Sequence, residues 1–250
     1  MNSPDHKLIT KRQLVNETPI AIALNGISFV VMLASPYDLD DFVYGLLLSE
    51  GVISNKNQIH DVQITPVPKG IVVDVTLANR QLESLRIRQR QLRGTSGCGL
   101  CGKTAIDEAF PELPLLPTRK CLSIADIEAL KDQLPHWQQR AQYSGAMHAA
   151  FWINEEANIL ACREDIGRHN AVDKLVGYAL KQGWSPETAN LLVTSRCSVE
   201  IVQKAILCGV VSLITLASPT QLAVDTAREH NLHLFHIPKV DRPYQIAEAH

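Results

Sequence analysis

The stretch NLLVTSRCSVEIVQKAILCGVVSLITL, residues 190–216, decides the fold. Asn190–Thr194 is short and apolar and reads as a strand buried on both faces. A polar turn follows, and Val199–Cys208 reads as a helix. Val210–Leu216 is a second buried strand. A strand, a helix and a strand in so few residues describe a crossover unit of a parallel sheet.

The same alternation extends outward. Upstream, His148–Ile153 and Asn158–Arg163 read as strands. Gly167–Gln182 reads as a helix with Ala171, Leu175, Val176 and Ala179 on one face. Ser123, with Asp126 three residues on, caps a helix expected to run through Leu134. Downstream, Ser218-Pro219-Thr220-Gln221 reads as a cap with proline at the first helical position, opening a helix to about His230. Leu232–Ile237 then closes with a strand. The pattern predicts a three-layer α/β domain with a partly parallel sheet.

The N-terminal part has a different grammar. Pro19–Leu24 and Ser28–Leu33 flank Asn25-Gly26, a strong hairpin signal. Asp38–Glu50 carries Leu39, Phe42, Val43, Leu46 and Leu47 at helical spacing and stops at Gly51. His60–Val67, Gly70–Leu77 and Ser84–Gln91 read as strands. Prolines at 111, 114 and 117 mark a linker, and the boundary is expected within residues 111–121. The reading is a smaller β-rich α+β domain, residues 1–115, before an α/β domain, residues 116–250.

Composition narrows the function. The chain has 250 residues and a formal net charge of −2, so no global field recruits nucleic acid or an anionic membrane. The polar start and the lack of a long apolar run predict neither a signal peptide nor a membrane span, hence a cytoplasmic location. There are six cysteines. In a reducing compartment they stay thiols. Cys162, Cys197 and Cys208 lie in apolar stretches and read as small buried hydrophobes; Cys121 is left open.

Two constellations carry chemistry. In a sheet of this type, ligands sit beyond the carboxyl ends of the strands. Three such ends are polar: Arg163-Glu164-Asp165, Thr194-Ser195-Arg196 and the segment after Phe235. They are expected to converge. Arg163 and Arg168 suit a phosphate, as do the free N–H groups of a helix start near Gly167. Glu164 or Asp165 could accept from a guanine edge or a sugar hydroxyl. The bland alternative is a helix capped by Asp165, with both arginines in ion pairs. Ser195, Arg196 and Ser198 repeat the design, again with capping by Ser198 as the alternative. His148 is a further candidate for the same edge.

The second constellation is Gly97-Cys98-Gly99-Leu100-Cys101-Gly102-Lys103, within a glycine-rich loop at residues 94–103. Arg80, Arg86, Arg88, Arg90, Arg93 and Lys103 lie near in sequence, and such cations lower a thiol pKa. A thiol of this kind could accept sulfane sulfur as a persulfide and pass it on. Zinc binding would need a second ligand pair, and none has the spacing. A thioredoxin-like pair would follow a buried strand, whereas the residues before Cys98 are basic and polar. Gly97 to Thr104 formally matches a P-loop, but a P-loop also follows a buried strand. A surface loop with two idle thiols is the remaining alternative.

With these residues in view, the chain resembles the FdhD/NarQ family. Arg163-Glu164-Asp165-Ile166-Gly167-Arg168-His169-Asn170-Ala171-Val172-Asp173-Lys174 is similar to its hallmark stretch. Gly97–Gly102 is similar to its C-G-x-C-G loop, and Ser195–Lys204 to its S-R-x-S-x-E-x-V-Q-K turn and helix. Pro19–Gly26 and Gly45–Gly51 are similar to its opening hairpin and first helix end. The resemblance implies a sulfur carrier. Cys98 would bear the persulfide and Cys101 would be auxiliary or resolving. A cysteine desulfurase would donate sulfur. Its acceptor would be the bis-molybdopterin guanine dinucleotide form of the molybdenum cofactor, destined for formate dehydrogenase, with a guanine nucleotide as a mimic. The resemblance also implies a homodimer and a cytidine-deaminase-like C-terminal domain. Deaminase chemistry itself is not expected, because His148-Ala149-Ala150 lacks the glutamate of H-x-E.

The cofactor would touch Arg163, Glu164, Asp165, Gly167, Arg168, His169, Asn170, Ser195, Arg196, Ser198 and His148. The family's F-A-R-G-x-R segment falls on Ile237, Pro238, Lys239, Val240, Asp241 and Arg242, with lysine in place of its arginine and valine in place of its glycine. A contrasting expectation is a chaperone that holds the cofactor without moving sulfur.

Overall fold

Asn25 and Gly26 both adopt positive φ, 49° and 76°, which is the geometry of a type I′ turn and fits the twist of the strands it joins. It connects β1 (Thr18–Leu24) to β2 (Ile27–Ala34). The Asn25 side chain then pins the turn to a third strand, accepting from Leu77 N at 2.7 Å and donating to Leu77 O at 3.2 Å. This computed structural model describes residues 14–78 and 111–249. Among them, β1 and β2 join β3 (Ile59–Val67) and β4 (Gly70–Leu77) in a sheet of order β2-β1-β4-β3, with β1 parallel to β4. The strand expected at Ser84–Gln91 lies outside the described residues.

Helix α1 (Leu39–Ser49) buries Phe42, Val43, Leu46 and Leu47 against Ile20, Ile22, Leu24, Val73, Val75 and Leu77 of that sheet. Its other side meets a long helix, α5 (Arg168–Gln182). The two come together at paired glycines. A Cβ on Gly45 would lie 1.7 Å from Asp173 O, and one on Gly177 would lie 1.9 Å from Asp41 O. Only glycine permits so close a backbone approach.

The second sheet contains β5 (His148–Ile153), β6 (Ile159–Asp165), β7 (Asn190–Val193), β8 (Ser212–Thr215), β9 (His233–His236) and β10 (Tyr244–Ala247). Their order is β10-β9-β8-β7-β5-β6. β7, β8 and β9 run parallel, and β5 is antiparallel to both β7 and β6. Each central strand is four residues long and buried throughout. Alternate residues therefore serve opposite layers. Leu191, Val193 and Leu213 pack with α5, α6 (Val199–Cys208) and α7 (Gln221–Glu229). Leu192, Ile214 and Phe235 pack with α2 (Ile124–Leu130) and α3 (Leu134–Trp137). The segment after Pro111 lies along this unit, with Leu116 N bonded to His230 O and buried in the first of these cores.

Two local expectations need correction, and one strand is additional. The helix capped by Ser123 and Asp126 ends at Leu130, not Leu134, and the chain tightens through a Gln133 N to Leu130 O turn before α3 opens with Leu134 and Pro135. Proline has no N–H and its ring excludes a continuous helix. Pro219 is not the first residue of α7: Thr220 is its N-cap, accepting from Ala223 N at 3.2 Å, while Pro219 pairs with Cys197. The edge strand β10 went unexpected, since four half-buried residues carry little periodic signal.

Candidate functional site

The parallel run of β6, β7, β8 and β9 places their carboxyl ends on one edge of the sheet. The start of β5 joins them, because His148 pairs with Asp165 and Ala149 N donates to Thr194 Oγ1 at 2.9 Å. The polar strand ends thus converge at that edge. Two helices begin there. Gly167 precedes α5 and Ser198 precedes α6, and neither start receives a side-chain capping bond. Ser198 Oγ instead donates to Glu200 Oε2 at 3.2 Å. By contrast α2 and α7 are capped by Ser123 and Thr220. An uncapped start offers unpaired N–H groups and the positive end of the helix dipole to an anion.

Arg168 and Arg196 follow the two strand ends. Arg196 is exposed and Arg168 partly so. Both reach His148 electrostatically: burial first, and then these two cations, lower its pKa, while Asp165 opposes them. His148 is therefore neutral at pH 7 and sits between the two helix starts. His169 behaves likewise, lowered by burial and then by Arg168, with Glu200 opposing. Its Nε2 lies 2.8 Å from Glu200 Oε2.

Other expected site residues are engaged inside the fold. Asp165 is fully buried, and four donors surround it. Oδ1 accepts from Gly167 N (2.8 Å) and Asn170 Nδ2 (3.0 Å); Oδ2 accepts from Ser35 N (2.9 Å) and Lys174 Nζ (2.6 Å). Asp165 thus binds the residue ahead of the helix rather than capping its first turn. Asn170 also donates to Leu33 O, and Lys174 to Ser35 O. Together they latch the end of β2 to the start of α5. Glu164 accepts from Arg140 N and Ala141 N, both at 2.8 Å, and so anchors the short helix α4 (Ala141–Ser144). Arg163 pairs with Asp41 at 2.8 Å and stacks 3.9 Å over Tyr178. Arg163, Glu164, Asp165 and Asn170 thus all make internal bonds that fix the frame of the site. Gly167 serves the same frame, since a Cβ there would lie 2.7 Å from Asn170 Nδ2. Ser195 is buried and donates to Arg196 O.

Residues 237–242 leave β9 at the same sheet edge but on the face covered by α2. Ile237 is buried, and Lys131 holds the carbonyls of Pro238 and Lys239. Val240 is exposed, as are Asp241 and Arg242. Cys98 and Cys101 lie outside the described residues. Of the remaining thiols, Cys197 is buried and Cys162 and Cys208 half-buried, and burial pushes all three up to about 12. Such thiols stay protonated and inert. Cys121 is also raised by burial.

Behind the helix starts lies a cavity of about 530 Å³ between α1, α5 and α6. His169, Asp173, Glu200 and Lys204 line it, with Pro111 and Glu112 on the wall where the described chain resumes. This cavity went unexpected; its signal in the sequence was spacing, since His169 and Asp173, like Glu200 and Lys204, are four apart and share a helix face.

The sequence profile of the FdhD/NarQ family matches residues 15–246. The chain belongs to the FdhD/NarQ family. The match encloses both helix starts and the Cys98–Cys101 loop. A crystal structure from Desulfotalea psychrophila, assigned as a formate dehydrogenase accessory protein, has a similar fold. Its TM-score is 0.69 at 23% identity, over 94% of this chain and 88% of that one. No helix among the described residues is long and apolar enough to cross a membrane.

Proposed function

We propose that this FdhD/NarQ chain serves the maturation of formate dehydrogenase as a cytoplasmic, homodimeric sulfur carrier. Cys98 attacks the outer sulfur of a cysteine desulfurase persulfide. That S–S bond breaks, the desulfurase thiol leaves with the proton, and Cys98 becomes the persulfide. Cys101 then attacks the inner sulfur, expels hydrosulfide and closes a Cys98–Cys101 disulfide, which a thiol reductant reopens. The recipient is the molybdenum of bis-molybdopterin guanine dinucleotide, held as substrate at the strand ends of a cytidine-deaminase-like sheet.

One observation carries the cofactor half of this reading. Two uncapped helix starts, each beside an arginine, flank one neutral histidine on a single sheet edge. Phosphate groups suit that arrangement. Arg168, Arg196 and Ser198 supply the polar contacts and His148 the floor. Family membership and the accessory role ascribed to the D. psychrophila protein support the formate dehydrogenase half.

Incubation with a cysteine desulfurase and cysteine tests the carrier step. Intact-mass spectrometry should show a one-sulfur adduct that Cys98→Ser abolishes. In cells, Cys98→Ser should leave formate dehydrogenase inactive. A cofactor holder that moves no sulfur would show no adduct, yet GDP binding would still fall with Arg168→Ala or Arg196→Ala.

A further inference from the structure

Among the described residues, two buried side-chain atoms on α5, Arg168 Nε and Asp173 Oδ2, have no hydrogen-bond partner, whereas His169 Nε2 between them faces Glu200 Oε2 at 2.8 Å. All three lie in the first two turns of the helix. Asp173 is the most telling. It is 1% exposed, and its Oδ1 is held by Ser49 Oγ at 2.8 Å and by Lys204 Nζ at 2.6 Å. Oδ2 has no donor, although the residue lines a cavity large enough for a small ligand. A buried acceptor left without a donor is costly, and native proteins supply one.

The surroundings define the missing donor. Four carboxylates, Glu50, Glu112, Asp173 and Glu200, line the cavity against the single ammonium of Lys204 among its described lining residues. An anion would be repelled. Met32, Leu46 and Leu207 make an apolar wall beside them. A cation on an aliphatic stem satisfies both features, with its charged head at the carboxylates and its methylenes along the wall.

We propose that this cavity is a binding site for an alkylguanidinium group, whose planar fork donates to Asp173 Oδ2 and toward Glu200. The group comes either from an arginine side chain of a docking protein or from a free small guanidine. The site lies behind the arginine-flanked helix starts, whose first turns supply His169 and Glu200, and it invokes neither thiol, so it stands or falls independently of sulfur transfer.

Isothermal titration of the full chain tests it with two probes, agmatine and acetyl-Gly-Gly-Arg-Gly-Gly-amide. The control is the same peptide with citrulline, a neutral isostere of arginine. At least one guanidinium probe should bind with one-to-one stoichiometry, weaken as salt rises, and exceed the citrulline peptide by about tenfold or more. Asp173→Asn should weaken binding by about tenfold or more. Glu112→Gln, on the exposed rim, should weaken it by about two- to threefold. Binding of agmatine alone assigns the site to a free guanidine; binding of both probes assigns it to a protein side chain. Should Asp173→Asn fail to fold, the citrulline comparison and Glu112→Gln decide. No saturable binding by either probe, equal binding of the citrulline peptide, or a folded Asp173→Asn that binds undiminished would overturn the proposal. A persulfide adduct on Cys98 would be unaffected by any of these results.

Discussion

Lys174→Met should destabilise the protein far more than any surface charge change. Lys174 and Asp165 are both fully buried and lie 2.6 Å apart. Burial pulls the lysine below its ordinary pKa, and Asp165 opposes that pull. Removing one partner of a buried pair costs about 3–5 kcal/mol, because the other charge is left unmatched. Here Asp165 would keep Ser35 N, Gly167 N and Asn170 Nδ2 as donors, which favours the lower end, about 3 kcal/mol. Ser35 O would also lose its contact with Lys174, adding about 1 kcal/mol. The expected total is about 4 kcal/mol, read as a shift of the urea midpoint at unchanged slope. Arg242→Ala is the internal control: its contact with Glu128 spans 4.0 Å at an exposed site and should change stability by less than about 0.5 kcal/mol. The double variant Asp165→Asn/Lys174→Met should recover part of the loss, since neither charge then remains. A Lys174→Met protein within about 1 kcal/mol of the parent would refute the view that this pair holds the two sheets together.

Other outcomes follow from the same geometry. Gly177→Ala puts a methyl group 1.9 Å from the Asp41 carbonyl oxygen, so α1 and α5 must separate; the expected loss is about 3 kcal/mol or more, checked by thermal unfolding. His148 and His169 both have folded pKa values below 6.5, so the unfolded chain binds more protons as pH falls through that value. Their effect on stability is absent above the unfolded pKa and grows as a penalty toward the folded one. Acidification from pH 7.5 to 5 should lower the melting temperature, and His148→Gln or His169→Gln should flatten that slope. In GDP titrations, Arg168→Ala and Arg196→Ala should each weaken binding by about tenfold, with a shallower salt dependence.

Much of the fold is legible in the sequence because its signals are local. Asn25-Gly26 specifies a turn whose φ values only a few residues tolerate. The Phe42, Val43, Leu46 and Leu47 spacing marks a helix, and the short runs at 190–193 and 212–215 mark buried parallel strands. Gly51, Gly183 and Gly209 each follow a helix with positive φ. What stayed hidden depends on distant partners. Asp165, Asn170 and Lys174 resemble ligand-binding residues when seen within their own motif. Their partners are Leu33 and Ser35, some 130 residues earlier, and only the folded chain shows them as a latch. The same holds for Gly45 and Gly177, each unremarkable alone. Pro135 was a local signal for the end of α2 that the helical pattern outweighed.

That latch links the first sheet to the chemistry at the edge of the second. The start of α5 is fixed by Gly167, whose N–H is held by Asp165, whose other oxygen is held by Ser35 N and Lys174. Ser35 Oγ also accepts from Ile166 N at 3.2 Å. A helix start can bind an anion only if its free N–H groups converge on one point, and a loop of this length does not fix them unaided. The β2 end supplies the constraint. Ser35→Ala removes one bond to the turn while leaving the Ser35 main-chain contacts, and it touches none of the residues expected to meet the phosphate. It should therefore weaken GDP binding by several-fold through Ile166 and Gly167, with little effect on overall stability. Unchanged affinity in that variant would mean that α5 sets its own N-terminus, and that the hallmark motif holds the sheets together without tuning the site.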